Sequence, residues 1–329
     1  MLCAPVSFQK GDGQLVNRVL VTGGTGFIGS HLVDELMSRD FDVVVLDDLS
    51  SGKRDNLSQH LGEPGFCLVE GDVRNSADVR KALDGVDVVF HLAAIVSVDF
   101  SVKNPLLVNE VNVDGTLNVL RESLKAGVKR FVYASSCAVY GDPVRLPIDE
   151  EHLTRPMSPY AVTKLAGEHY CRVFYEVYAL ETVCLRFFNV YGPRQVTGPY
   201  SGVIVKFIDR LKRGEEPIIY GNGEQTRDFV FVEDVVDACL RAMRRKNCVG
   251  EVINVGTGIE TSINKLANVL AELFNLRDVK FVYAKPQAGD IRRSCADSSK
   301  AERMLGYKPK ASLREGLTIL LRELGVRHS

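Results

Sequence analysis

From residue 18 onward, short apolar runs alternate with longer stretches of helical periodicity. Arg18-Val-Leu-Val-Thr22 has the composition of a strand buried on both faces, and His31 to Ser38 follows with Leu32, Leu36 and Met37 in helical phase. Asp42-Val-Val-Val-Leu46, Phe66-Cys-Leu-Val-Glu70, Asp87-Val-Val-Phe-His-Leu92, Arg130-Phe-Val-Tyr-Ala134 and Glu181-Thr-Val-Cys-Leu-Arg-Phe187 predict further strands. Between them, Asn104 to Gly127 predicts one long helix, with Leu107, Val111, Leu117, Leu120 and Leu124 in phase and Gly127 suited to its C-terminal cap. A helix starting near Ser76 and another opening at Pro159 complete the alternation. Strand and helix in turn, joined by short loops, predict an α/β fold with a doubly wound, Rossmann-like parallel sheet.

The alternation loosens after about residue 190. Val203 to Arg213 and Val235 to Arg244 are helical in pattern, Pro217 to Tyr220 and Thr226 to Val232 are extended, and Val252-Ile-Asn-Val255 reads as one more sheet strand. The organisation expected is a tail over 1–17, a nucleotide-binding domain over 18–188 joined by 227–258, and a smaller mixed α/β C-terminal substrate domain from 189–226 and 259–329.

Glycines punctuate the first strand-to-helix junction. Gly23-Gly-Thr-Gly-Phe-Ile-Gly29 stands between a strand and a helix, the context that a dinucleotide fingerprint requires. Gly23 permits a tight turn, Gly26 lets backbone approach a pyrophosphate, and Gly29 allows close helix–strand packing. Phosphate would then sit at the helix N-terminus, where free N–H groups favour anions. Asp47 ends the second strand where a ribose-binding carboxylate is expected, and there it would repel a 2′-phosphate. That favours NAD; Lys53 and Arg54 argue the other way. Asp72, after the third strand, could meet an adenine amino group or cap the next helix. Ala93 and Ala94 leave room at the end of the fourth strand, and His91 reads as a packed strand residue. Ser135 and Ser136 put two hydroxyls at a carboxyl-terminal strand end, where open parallel sheets bind ligands.

Tyr160 and Lys164 lie four residues apart, so a helix presents both on one face. Ser158 can cap that helix and Pro159 suits its first turn. Alone, the two could be a surface pair. Beside a cofactor turn and a serine, they suit acid/base work. A free phenol has a pKa near 10, and lowering it to about 7 requires about 4 kcal/mol in favour of phenolate. A neighbouring ammonium supplies a field of the right sign.

Composition narrows the classes without naming one. The 329 residues carry a formal net charge of −1, which gives no whole-molecule attraction to nucleic acid. No apolar run approaches the roughly 20 residues of a membrane span, and the start lacks the pattern of a signal peptide. A cytoplasmic protein is expected. The eight cysteines have neither C-x-x-C nor zinc-type spacing, so no metal site is expected and Cys171, Cys184 and Cys239 read as small buried hydrophobes.

Taken in order, Thr22-Gly-Gly-Thr-Gly-Phe-Ile-Gly29, Leu92-Ala-Ala94, Ser135-Ser136 with Val139-Tyr-Gly141, Tyr160-x-x-x-Lys164, Arg186-Phe-Phe-Asn189 and Asn254-Val-Gly256 resemble the extended short-chain dehydrogenase/reductase family, over about 18 to 320. The resemblance is greatest to its UDP-glucose 4-epimerase branch. It implies Tyr160 as catalytic base, Lys164 on the nicotinamide ribose and Ser136 on the sugar 4-oxygen. It also implies NAD contacts from Gly23, Gly26, Phe27, Ile28, Gly29, Asp47, Asp48, Ser51, Gly52, Asp72, Val73, Leu92, Ala93, Ala94 and Phe187. For a UDP-hexose it implies Asn189, Val203, Arg227 and Asp290, and it implies a homodimer formed through helices 104–127 and 159–179. For Arg227 the alternative is a surface pair with Asp228.

Related dehydratases and decarboxylases carry an acidic residue one or two positions after the serine; here those positions hold Cys137 and Ala138. Gln287 stands where the family often has Arg, so a diphosphate contact is missing or moved to Arg292 or Arg293. Ser294 is small where some relatives are bulky, which permits an N-acetylated sugar. The expectation is an NAD-dependent 4-epimerase acting on UDP-glucose/UDP-galactose, and on the N-acetylated pair. The alternatives are a UDP-uronate 4-epimerase or another nucleotide-sugar epimerase or reductase, and, from a different class, an NAD-binding regulatory protein.

Overall fold

A computed structural model describes residues 16–195, 202–276, 279–286 and 291–326. The strands are β1 (Arg18–Thr22), β2 (Asp42–Asp47), β3 (Phe66–Glu70), β4 (Val88–His91), β5 (Arg130–Ser136), β6 (Glu181–Phe187), β7 (Asn189–Tyr191), β8 (Ile218–Tyr220), β9 (Thr226–Arg227), β10 (Phe229–Phe231), β11 (Val252–Val255), β12 (Thr261–Ser262) and β13 (Val282–Ala284). The α-helices are α1 (Phe27–Met37), α2 (Ser76–Ala82), α3 (Val98–Lys103), α4 (Pro105–Asn109), α5 (Gly115–Lys125), α6 (Pro159–Tyr178), α7 (Val203–Lys212), α8 (Val232–Arg244), α9 (Ile263–Leu273), α10 (Ser299–Leu305) and α11 (Leu313–Glu323).

Seven strands form one sheet in the order β11-β6-β5-β4-β1-β2-β3. β1 pairs in parallel with both β2 and β4, so the chain runs outward to β3 and then crosses back to β4. The junction of β1 and β4 is therefore the switch point, and ligands of open α/β sheets bind at the carboxyl ends of such strands. This is the Rossmann-like doubly wound sheet that the alternating pattern predicts. Leu20, Val44, Val89, Val119 and Phe131 are among the buried side chains that form its core.

The chain divides into two compact units. One comprises the residues up to Ser136, Ser158–Arg186 and Val236–Ile253; the other comprises Cys137–Met157, Phe187–Val235 and Asn254 onward. The second is built from short pieces. β10 pairs in parallel with β7, β9 pairs antiparallel with β12, and β13 pairs in parallel with β8.

Three readings from periodicity are corrected. The helix beginning at His31 starts earlier, at Phe27. The long helix over 104–127 is interrupted: Glu110–Asp114 is a π turn between α4 and α5, closed by the Gly115 N–H on the Glu110 carbonyl. Its buried face is also different. Leu106 and Leu107 are exposed, whereas Val108, Asn112 and Thr116 are buried. Polar residues occupy that face because each has a partner: Asn112 meets Ile95 and Thr163, and Thr116 meets His91. The single extended run over Thr226–Val232 is two strands separated by Asp228. That side chain is fully buried, and its carboxylate accepts from the Thr257, Gly258 and Ala296 amides and the Thr257 hydroxyl.

Candidate active site

The glycine turn follows β1. Gly23 has φ +70°, and a Cβ there would lie 2.8 Å from the Ala93 nitrogen, so the turn after β1 rests against the end of β4. A Cβ on Gly29 would lie 2.2 Å from the Gly23 carbonyl oxygen; only glycine lets the helix start this close to the turn. Gly26 differs, because a Cβ there would meet one atom, at 3.2 Å. It is the N-cap of α1, and no side chain caps that helix. The space a Cβ would fill lies beside uncapped amides at a helix N-terminus, which suits a pyrophosphate. The buried Thr25 hydroxyl, close by, has no partner among the described residues.

Asp47 ends β2 and accepts from the Thr25 amide at 3.0 Å and the Leu49 amide at 2.9 Å. Each oxygen keeps a second lone pair for a ribose hydroxyl. Arg54, one of the two cations that could have met a 2′-phosphate, donates instead to Glu70 at 2.7 Å. Asp72 does not cap α2; Asn75 does. The Arg74 Nε donates to both Asp72 oxygens, at 3.0 and 2.9 Å, and its Nη2 to Oδ2 at 2.5 Å, and that hydrogen bonding holds the Asp72 carboxyl below its ordinary pKa. Val73 is buried, with its carbonyl accepting from Asn118. Phe27, Ile28, Leu92, Ala93 and Ala94 are half-buried around the turn, as is Gly52, while Asp48 and Ser51 are exposed. The Ala93 amide donates to the Thr22 hydroxyl at 3.2 Å, and Phe187 closes β6 and is buried.

α6 carries the acid/base candidates. Ser158 caps it through the Ala161 amide at 3.2 Å, a contact worth about 1 kcal/mol, and Pro159 opens its first turn. Tyr160 is 9% exposed and Lys164 3%, so this is no surface pair. The Lys164 ammonium donates to the Ala134 carbonyl at 2.8 Å and lies 5.1 Å from the centre of the Tyr133 ring. Burial pulls its pKa down to about 8, against the opposing fields of Cys171 and Glu168. Ser136 closes β5, two residues beyond that carbonyl. The Ser135 hydroxyl is engaged elsewhere, donating to Glu168 at 2.5 Å.

His91 is a packed strand residue, its ring nitrogens 2.8 Å from the Thr22 hydroxyl and 2.9 Å from the Thr116 hydroxyl. Burial first, and the Lys164 charge second, push its pKa down to about 3. Sequence reasoning did not find Asn112. From the π turn, its amide nitrogen donates to the Ile95 carbonyl and the Thr163 hydroxyl, both at 3.0 Å, which braces the residue next to Lys164. The available signal was an asparagine in phase with Val108 and Val119.

In the second unit, Asn189 opens β7, Val203 opens α7, and Asp290 and Gln287 lie outside the described residues. The Asn189 side-chain oxygen is buried and has no hydrogen-bond partner among the described residues. Arg227 donates to the Thr226 and Ile291 carbonyls. A surface pair with Asp228 is ruled out by the complete burial of that carboxylate. Arg293 forks onto Glu260 at 2.6 Å through each nitrogen, whereas Arg292 lines an open cavity of about 780 Å³ with Tyr220, Gln225 and Tyr283. Ser294 is buried and bonds the Cys137 thiol, which burial pushes up to about 12.

A parallel sheet with a glycine-lined helix N-terminus at its switch point defines a dinucleotide-binding protein of the Rossmann type. The chain belongs to the NAD dependent epimerase/dehydratase family, whose model matches residues 19–256, and its cofactor is accordingly NAD. It is similar to a putative UDP-glucose 4-epimerase of Methanocaldococcus jannaschii, at 42% identity over 91% of this chain and 95% of that one. The UDP-glucose 4-epimerase of Thermotoga maritima, solved with UDP-glucose, superposes with a TM-score of 0.88 at 40% identity, covering 94% of this chain and 98% of that one. A UDP-N-acetylglucosamine 4-epimerase of Methanobrevibacter ruminantium, in complex with UDP-N-acetylmuramic acid, matches with a TM-score of 0.88 at 38% identity over the same shares. No described helix is long and apolar enough to cross a membrane.

Proposed function

We propose that this chain is a nucleotide-sugar 4-epimerase acting on UDP-glucose/UDP-galactose and on the corresponding N-acetylated pair. One observation carries the reading. Tyr160 and Lys164 lie buried on one face of α6, while the position after Ser136 holds a thiol kept protonated. Elimination or decarboxylation would call for a carboxylate there; proton transfer at one hydroxyl does not.

NAD supplies the acceptor, and later the donor, of a hydride at C4. The uncapped amides at the start of α1 would hold its pyrophosphate and Asp47 its adenosine ribose. Tyr160 takes the proton from the sugar 4-hydroxyl as general base and returns it after the 4-keto sugar has turned over. Lys164, positively charged below its pKa of about 8, favours the phenolate and binds the nicotinamide ribose. Ser136 donates to the 4-oxygen as charge moves through it. Arg227 and Arg292 suit the diphosphate, and Ser294 leaves space for an acetamido group.

We assign cofactor binding to the first unit and nucleotide-sugar binding to the second. The purified protein, without added NAD, should convert UDP-glucose and UDP-N-acetylglucosamine to their C4 epimers in a panel that includes GDP- and dTDP-sugars. Complete rejection of the acetylated sugar would remove the second half of the proposal. Ser294→Tyr should cut kcat/KM for that sugar at least tenfold more than for UDP-glucose, a difference of about 1.4 kcal/mol.

The outer face of α6 exposes Val162, Val173 and Val177 beside a shallow hollow lined by Ala166, His169 and Tyr170. We assign this face to a second copy of the chain, in the cytoplasm. Sedimentation should give a dimer, and Val173→Asp should shift it to monomer.

A further inference from the structure

α6 brings a third ionisable side chain to the face that carries Tyr160 and Lys164. Glu168 follows Lys164 by one turn and is 4% exposed. A carboxylate this deep persists only with partners. Arg186 forks onto it, Nε to Oε1 at 2.8 Å and Nη2 to Oε2 at 2.7 Å. The Ser135 hydroxyl donates to Oε1 at 2.5 Å.

Such a pair is weak evidence of stabilisation, because well-packed apolar residues of similar volume often serve the fold as well. Its position suggests another role. Lys164 holds the Ala134 carbonyl, Glu168 holds the Ser135 hydroxyl, and the next residue in the chain is Ser136. A backbone has two soft dihedrals per residue, so two consecutive tethers leave the chain entering Ser136 little freedom. A catalytic group misplaced by about 1 Å can lose about a hundredfold in rate.

We propose that Glu168 is a positioning residue: fixed by Arg186, it holds Ser135 and thereby sets the orientation from which the Ser136 hydroxyl meets the substrate oxygen. The inference rests on the assignment of Ser136 and Tyr160 made above.

Ser135→Ala cuts the tether and leaves the Arg186–Glu168 fork intact. Its kcat should fall about tenfold, with KM for the nucleotide sugar within about twofold, bound NAD unchanged and Tm lowered by no more than the few degrees that one buried hydrogen bond accounts for, as expected for an interaction made only in the transition state. Glu168→Leu with Arg186→Met removes the same tether while keeping the interior apolar, and should show the same loss. Adding Ser135→Ala to that pair should cost nothing more, since all three changes cut one link. Glu168→Gln with Arg186→Met keeps an acceptor for Ser135 and should recover most of the activity. Unchanged kcat in Ser135→Ala, or losses that multiply in the triple variant, would overturn the proposal. Tyr160→Phe in the same assay separates the two readings. Full turnover there removes the underlying site assignment, whereas loss of turnover there with unaltered Ser135→Ala removes only the role of Glu168.

Discussion

In the first unit, the side chains assigned to chemistry sit on long regular elements, the 20-residue α6 and the seven-residue β5. In the second, the corresponding groups sit on or beside strands of two or three residues, such as β9 and β7. A long helix converts sequence spacing directly into geometry, which is why Tyr160, Lys164 and Glu168 share a face. A two-residue strand cannot do so. There, position is set by contacts distant in sequence, with Asp228 accepting from Ala296 across 68 residues. The same demand, placing polar groups accurately, is met by local periodicity in one unit and by a buried hub in the other.

The largest test of that contrast is Tyr160→Phe. Removing one hydroxyl from a rigid helix should lower kcat by about 10²–10⁴-fold, the range of general acid–base catalysis, with Tm and bound NAD retained. Asp228→Ala should act in the opposite way. It leaves the Thr257, Gly258 and Ala296 amides without their acceptor and should cost about 3 kcal/mol or more in a denaturant titration, with a smaller change in turnover per folded molecule. If Asp228→Ala were as stable as the parent, the hub account of the second unit would be wrong.

Gly26→Ala should weaken NAD binding to cofactor-stripped protein about tenfold, or about 1.4 kcal/mol, without lowering the Tm, because its Cβ meets a single atom within the chain. A drop in Tm would reveal a packing role instead.

The last test is graded. With the Lys164 pKa lowered from 10.5 to about 8 by burial, kcat should decline above about pH 8 as the ammonium is lost. Folding stability should move the other way. Between about 8 and 10.5 the unfolded chain binds more protons than the folded one, so this group's contribution rises with pH, by about 3 kcal/mol in total. Lys164→Met should abolish both trends; a kcat limb that persisted in it would belong to another group.

The alternation of apolar runs made the parallel sheet legible, and the glycine spacing marked the turn after its first strand; that this turn lies at the switch point came from the strand order. The Ser158 cap and the four-residue interval of α6 were equally plain. What stayed hidden depended on partners far along the chain. Asn112 and Thr116 look like misplaced polar residues until Ile95, Thr163 and His91 are brought to them. Ser135 and Ser136 were told apart by the resemblance alone; that Ser135 donates to Glu168, 33 residues away, shows only in the fold. The break at Asp228 was invisible for the same reason: Phe229-Val-Phe231 continues the extended pattern, and only burial of the carboxylate separates β9 from β10.

The π turn at Glu110–Asp114 has a further consequence. Each residue of an α-helix advances the chain by about 100°. Because the bond here closes one residue later than in an α turn, the segment takes up a surplus residue while the helical stretches on either side keep their phase. Removing one residue other than Asn112 should therefore let it close as ordinary α-helix with Val108 and Val119 still turned inward. What would change is the local backbone from which Asn112 reaches Ile95 and Thr163: the extra residue is slack in the helix, spent on aiming one side chain.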